Sequence, residues 1–103
     1  MTPAELKALA DQIEDEGPNR RFDAIIRKML RLRGNPAGRG YKPYTASFEA
    51  ATTLLEQPLD FDAIGLGDGR FRVLYKGELG YGSLAQALCA AALRAQAQEA
   101  GDA

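Results

Sequence analysis

The chain has 103 residues, enough for one domain around one core that takes roughly 65% of the unfolded surface out of water. Hydrophobic residues make up 46% and charged residues 26%, which excludes a disordered chain, and a net charge of −1 excludes a protein-wide basic footprint. The absence of histidine rules out His triads and His metal sites, while the lone Cys89 rules out internal disulfides and multi-cysteine zinc sites and fits a reducing compartment.

Thr2-Pro3-Ala4-Glu5 is a capping box with proline at the first helical position. Leu6, Leu9 and Ile13 follow at helical spacing, and Gly17-Pro18 ends the helix. Asn19 caps a second helix, Arg20 to Arg33, with Phe22, Ile25, Ile26, Met29, Leu30 and Leu32 on one face. Gly34 terminates it, and residues 34–44, GNPAGRGYKPY, form a loop. A shorter helix runs from about Ala46 to Glu56, capped by Thr45 or Ser47 and closed by Gln57-Pro58.

The period then changes from 3.6 to 2. Leu59, Phe61 and Ala63 alternate with Asp60 and Asp62, and Phe71, Val73 and Tyr75 alternate with Arg70, Arg72 and Lys76. Asp68-Gly69 between them is a hairpin turn, because both positions of that turn favour positive φ. The alternation slips near Ala63-Ile64, which predicts a bulge or an early strand end there. Gly77, Gly80 and Gly82 turn the chain into a second capping box, Ser83 with Gln86. The last helix, Leu84 to about Gln98, carries a wide alanine-rich apolar stripe suited to close packing. No apolar run approaches the length of a membrane span, and MTPAELKALADQ is no signal peptide, so the expected setting is cytoplasmic.

The expected fold is therefore α+β, in the order ααα-ββ-α, as a single domain over 1–103. An antiparallel helix pair occupies 1–33 and a loop 34–44. A unit over 45–98 sandwiches the short antiparallel hairpin of 59–76 between helices. An uncapped hairpin edge and an apolar second helix favour a homodimer.

Tyr44-Thr45-Ala46-Ser47-Phe48-Glu49-Ala50-Ala51, followed by Leu84-Ala85-Gln86-Ala87-Leu88-Cys89-Ala90-Ala91-Ala92-Leu93-Arg94-Ala95, resembles the phage ABA sandwich domain family of small phage and prophage proteins. The likeness covers about residues 44–95. It departs at Glu56-Gln57-Pro58-Leu59, where a tryptophan-containing turn is usual, and at Gly82-Ser83-Leu84, where the last helix usually opens on proline. What the resemblance implies is origin and a helix–sheet–helix layering. It implies no catalytic residues, and the family has no established activity.

Charge is segmented along the chain. Residues 1–19 hold five acids against Lys7. Residues 20–42 hold Arg20, Arg21, Arg27, Lys28, Arg31, Arg33, Arg39 and Lys42 against Asp23. Residues 49–68 hold Glu49, Glu56, Asp60, Asp62 and Asp68 with no base. A basic helix face leading into Arg39, Tyr41, Lys42 and Tyr44 offers cations interleaved with stacking rings, the pattern of a nucleic-acid site built on Arg20, Arg27, Lys28 and Arg31. The plainer reading is a solvated helix face beside an acidic helix. The acids Glu56, Asp60, Asp62 and Asp68 form the mirror candidate, a surface aimed at a basic protein partner. Asp60 and Asp62 share a strand face and could meet a hard cation, but the wet side of a half-buried strand looks the same. The glycine-rich stretch 65–69 lies between strands and lacks a helix N-terminus. The stretch 77–83 opens a helix and could cradle an anion but lacks a Walker lysine, and turn geometry explains both better. Cys89, amid alanines and leucines with no base at hand, reads as a buried inert thiol.

The expected function is thus non-enzymatic, with no cofactor and no metal. The chain binds a host protein, which the resemblance extends to a defence nuclease complex inhibited in an anti-CRISPR-like manner. The alternatives are nucleic-acid binding, and a phage structural or self-assembling component.

Overall fold

The computed structural model describes residues 2–32, 42–55 and 60–101, except the side chains of 100 and 101. The described elements are α1 (Pro3–Glu16), α2 (Arg20–Leu32), α3 (Phe48–Thr52), β1 (Phe61–Gly67), β2 (Arg70–Tyr75), β3 (Glu78–Gly82) and α4 (Leu84–Gly101). The fold is α+β, helices first, then an antiparallel sheet, then the long helix.

Local chemistry sets most boundaries. Thr2 accepts from the Glu5 N–H while the Glu5 carboxylate accepts from the Thr2 N–H, both at 3.2 Å, closing the expected capping box. Gly17, at φ 84°, donates its N–H to the Ile13 carbonyl and ends α1. The Asn19 side chain accepts from the Arg21 N–H at 2.8 Å and caps α2. Ser83 and Gln86 form the second box at the start of α4. Of the two caps open for α3, Ser47 serves, accepting from the Ala50 N–H. Thr45 is instead buried against α2.

The core is organised around α4. Its residues Ala85, Ala87 to Leu93, Ala95 and Ala97 are all buried. A helix apolar on every side must be covered on every side. Here α1, α3 and strands β2 and β3 do so. Alanine makes that possible, since small side chains let backbones approach from several directions. The nearest approach is at Gly80: a methyl there would overlap the Ala87 carbonyl oxygen and lie 2.8 Å from the Ala91 nitrogen. The Gln86 amide donates to the Ile13 carbonyl at 2.7 Å, fixing the start of α4 to the end of α1. α1 thus docks chiefly on α4 rather than along α2.

Sheet order is β1-β2-β3, both pairs antiparallel, with Ala63 opposite Val73 and Val73 opposite Gly80. Three differences from the sequence expectation concern this region. A third strand exists, joined to β2 by a two-residue turn at Lys76 (φ 50°) and Gly77 (φ 81°). The register shift falls between Gly65 and Gly67 rather than at Ala63-Ile64. The sheet is covered on one face only: Val73, Tyr75 and Gly80 are buried towards α4, while no described residue covers the opposite face. α3 packs on α4, on the covered side, with Phe48 meeting Phe61 edge-to-face at 6.0 Å.

Candidate functional site

The uncovered face is built by strand alternation. With Val73 and Tyr75 turned inward, Arg72 and Leu74 turn outward, and the register places Asp62 and Ile64 beside them on β1 and Leu79 and Tyr81 on β3. Ile64 is 50% exposed, Leu74 41% and Leu79 38%. Together with Asp62, Ala63 and Arg72 they line a shallow recess of about 310 Å³. Leu66, at the register shift, is exposed at one end. Exposed leucines scattered singly are ordinary, but a contiguous apolar group flanked by one acid and one base is the usual form of a contact surface.

Asp60, Asp62 and Asp68 are all exposed on or beside β1, and Asp68 holds φ 54° in the turn. No described cation forms an ion pair with any of them. Glu56, the fourth acid expected here, lies outside the described residues, as do Arg39 and Tyr41 of the aromatic loop. Lys42 is half-buried. Tyr44 is corrected outright: it is fully buried, so it offers no ring to a partner. Its backbone carbonyl accepts from the Cys89 thiol at 3.0 Å, and burial pushes its phenol pKa up.

The basic candidates lie along α2. Arg20, Lys28 and Arg31 are exposed and Arg27 is half-buried. None pairs with an acid among the described residues, whereas Arg21 meets Glu16. Ala24, Arg27, Lys28, Arg31 and Leu32 border a second recess of about 550 Å³. Asp23, the one acid of that segment, is buried and turned inward. It accepts from the Thr45 N–H at 2.9 Å and the Thr45 hydroxyl at 2.8 Å, and Thr45 accepts in turn from the Asn19 N–H at 3.1 Å. This network fixes residues 42–47 to the head of α2 and removes the only negative charge from its basic face.

The expectation of an inert thiol holds: Cys89 is fully buried, and desolvation raises its pKa far above the ordinary range. No group of three acids or cysteines among the described residues could hold a metal ion.

One constellation was missed from the sequence. Arg94 donates to Glu14 (2.6 and 2.7 Å) and Asp11 (2.6 Å), and its Nη1 also reaches the Leu79 carbonyl at 2.8 Å. Glu14 in turn accepts from the Tyr81 N–H at 2.7 Å. Arg94 lies 80 and 83 positions from Glu14 and Asp11 in the chain, and Tyr81 lies 67 from Glu14, so no local pattern announces the group. The outward apolars were also passed over, although Leu74 interrupts the charged positions 70, 72 and 76 in plain view.

The chain matches no protein-family model, no curated protein and no solved structure. No helix among the described residues is long and apolar enough to cross a membrane.

Proposed function

We propose that this is a non-enzymatic binding protein that engages a protein partner through the uncovered side of its sheet. The carrying observation is the group of Ile64, Leu74 and Leu79, exposed together on one face and flanked by Asp62 and Arg72. Burying such a group is worth about 25 cal/mol per Å², and the flanking charges select which partner docks and in what register. The resemblance over 44–51 and 84–95 supports a phage or prophage origin. It makes a host defence complex in the cytoplasm the proposed class of partner.

The test is capture from host lysate with the tagged chain, with and without nuclease, beside a Leu74→Lys/Leu79→Lys variant. The proposal expects one stoichiometric protein that survives nuclease and is lost with the variant. Capture undiminished by the double substitution refutes this face as the site.

A second reading rests on α2, where Arg20, Arg27, Lys28 and Arg31 have no acidic partner among the described residues. It assigns nucleic-acid binding to that face. Each neutralised phosphate releases counterions, so affinity would fall about a hundredfold between 50 and 200 mM salt if four phosphates were met. An interaction insensitive to salt, or unchanged by Arg27→Glu/Arg31→Glu, removes this reading.

A further inference from the structure

The two edges of the sheet are treated differently by the fold. On β3, two outward backbone groups are occupied: the Tyr81 N–H donates to Glu14 and the Leu79 carbonyl accepts from Arg94. A carboxylate and a guanidinium therefore stand where another strand would stand. Those bonds also fix the phase of the whole ladder. If Leu79 and Tyr81 point outward, Gly80 points towards β2 and bonds with Val73 opposite it. Val73 then has nothing left for β1, so Ala63 opposite it points its N–H and C=O away from the sheet. The same alternation turns the backbone of Phe61 outward, and that of Gly65 up to the register shift.

No described residue bonds to this β1 edge. From Asp62 to Gly67 the strand is exposed at every residue. Its sequence, FDAIGLG, has neither the lysine nor the proline with which exposed edges are commonly blunted. Along 60–69 it carries Asp60, Asp62 and Asp68 and no base. A strand added here would lie about 4.8 Å from β1, with Arg72 a further strand away, so its side chains would face the acids first.

We infer that the β1 edge takes up an extended, cationic segment of the partner by strand addition, with a lysine or arginine opposite Asp62 and an apolar residue opposite Ile64. This rests on the reading of the sheet as a protein-binding surface and names the chemistry of its occupant. Main-chain bonds to Phe61, Ala63 and Gly65 supply affinity, and alternating side chains supply selection. A second copy of this chain is the less suited occupant, because pairing β1 with itself gathers six aspartates and no base.

The test uses the full chain labelled with ¹⁵N and the blocked peptide Ac-Thr-Val-Thr-Lys-Thr-Lys-Thr-NH2, whose valine and two lysines fall opposite Ile64, Asp62 and Asp60 in antiparallel register, with Ac-Thr-Val-Thr-Glu-Thr-Glu-Thr-NH2 as its charge-reversed counterpart. The lysine peptide is expected to slow amide exchange at Ala63 and Gly65 tenfold or more at saturation, leaving Leu79 and Tyr81 unmoved, and the glutamate peptide to do neither. Asp60→Lys/Asp62→Lys should reverse that preference. Ala63→Pro should abolish protection while preserving the internal ladder, since the lost N–H points outward. If that variant does not fold, the charge reversal decides. Equal response to both peptides overturns the inference, and so does protection of the edge that grows with protein concentration and needs no peptide. Peptide-induced shifts at Ile64, Leu74 and Leu79 without protection of Ala63 or Gly65 overturn strand addition while leaving the protein-binding face standing. Silence at both edge and face overturns the inference, and the Leu74→Lys/Leu79→Lys capture then judges the broader reading by itself.

Discussion

Replacing Gly80 by alanine puts a methyl where α4 already runs. The added carbon would overlap the Ala87 carbonyl oxygen, with the Ala91 nitrogen at 2.8 Å and the Ala87 carbonyl carbon at 2.9 Å. All three are backbone atoms, so no side chain can swing aside. Strand and helix must part by roughly 1 Å, which forfeits about half of the dispersion energy at the gap. With some 40 atom pairs along the seam at about 0.15 kcal/mol each, the loss is about 3 kcal/mol. A gain of about 0.5 kcal/mol from stiffening the unfolded chain offsets only part of it. Urea unfolding followed by circular dichroism measures the change: for a slope of about 1.5 kcal/mol per M, the midpoint falls by nearly 2 M. Gly77→Ala is the matched control. Gly77 has φ 81° but nothing within 4 Å of an added methyl, so its cost is backbone strain of about 1 kcal/mol. A Gly80→Ala midpoint no lower than that of Gly77→Ala would refute the argument from close approach.

Three further outcomes follow from the buried polar groups. Arg94→Met removes the donor shared by Glu14, Asp11 and Leu79. It should cost about 2 kcal/mol in thermal or urea unfolding and speed amide exchange at Tyr81, with the neighbouring strand β2 much less affected. Asp23→Ala leaves the Thr45 N–H and hydroxyl without their buried acceptor and should cost about 2–3 kcal/mol, read from the same unfolding curves, whereas exposed Asp62→Ala should change stability by less than about 0.5 kcal/mol. Stability should also decline in alkali. Burial raises the pKa of both Cys89 and Tyr44, so the unfolded chain loses these protons first and rising pH favours unfolding. Their contribution is complete below the ordinary values of 9.0 and 10.0 and declines above them. Cys89→Ala should flatten the first part of a urea-midpoint profile taken from pH 8 to 11.

Much of this was legible in the chain because it is local chemistry. Thr2 with Glu5, Asn19 before Arg20, Gly17-Pro18, Asp68-Gly69 and Ser83 with Gln86 each solve a backbone problem within four residues, and each does so where its pattern indicates. β3 escaped because ELGYG looks like a turn: glycine is a poor strand former, and its reason for being at position 80 is α4, a partner visible only once the sheet and helix are superposed. The bare sheet face was half legible. The inward set Phe71, Val73 and Tyr75 was evident, but Leu74 on the outward set was passed over, and alternation cannot say whether a second layer exists to cover that face. Tyr44 and Thr45 looked like loop furniture beside basic residues. Their burial depends on Asp23, more than 20 positions earlier, and on Cys89, 45 positions later.

The central place of α4 has a consequence for how the molecule comes into being. It is the last of the described elements to leave the ribosome, yet α1, α3 and the sheet all rest on it. Until it emerges, Leu6, Leu9 and Ile13 on one side and Val73 and Tyr75 on the other have no common surface to bury, and a nascent chain has only isolated short helices and a marginal sheet. Assembly of this core therefore waits for α4, and the β1 edge stays uncovered once it is complete.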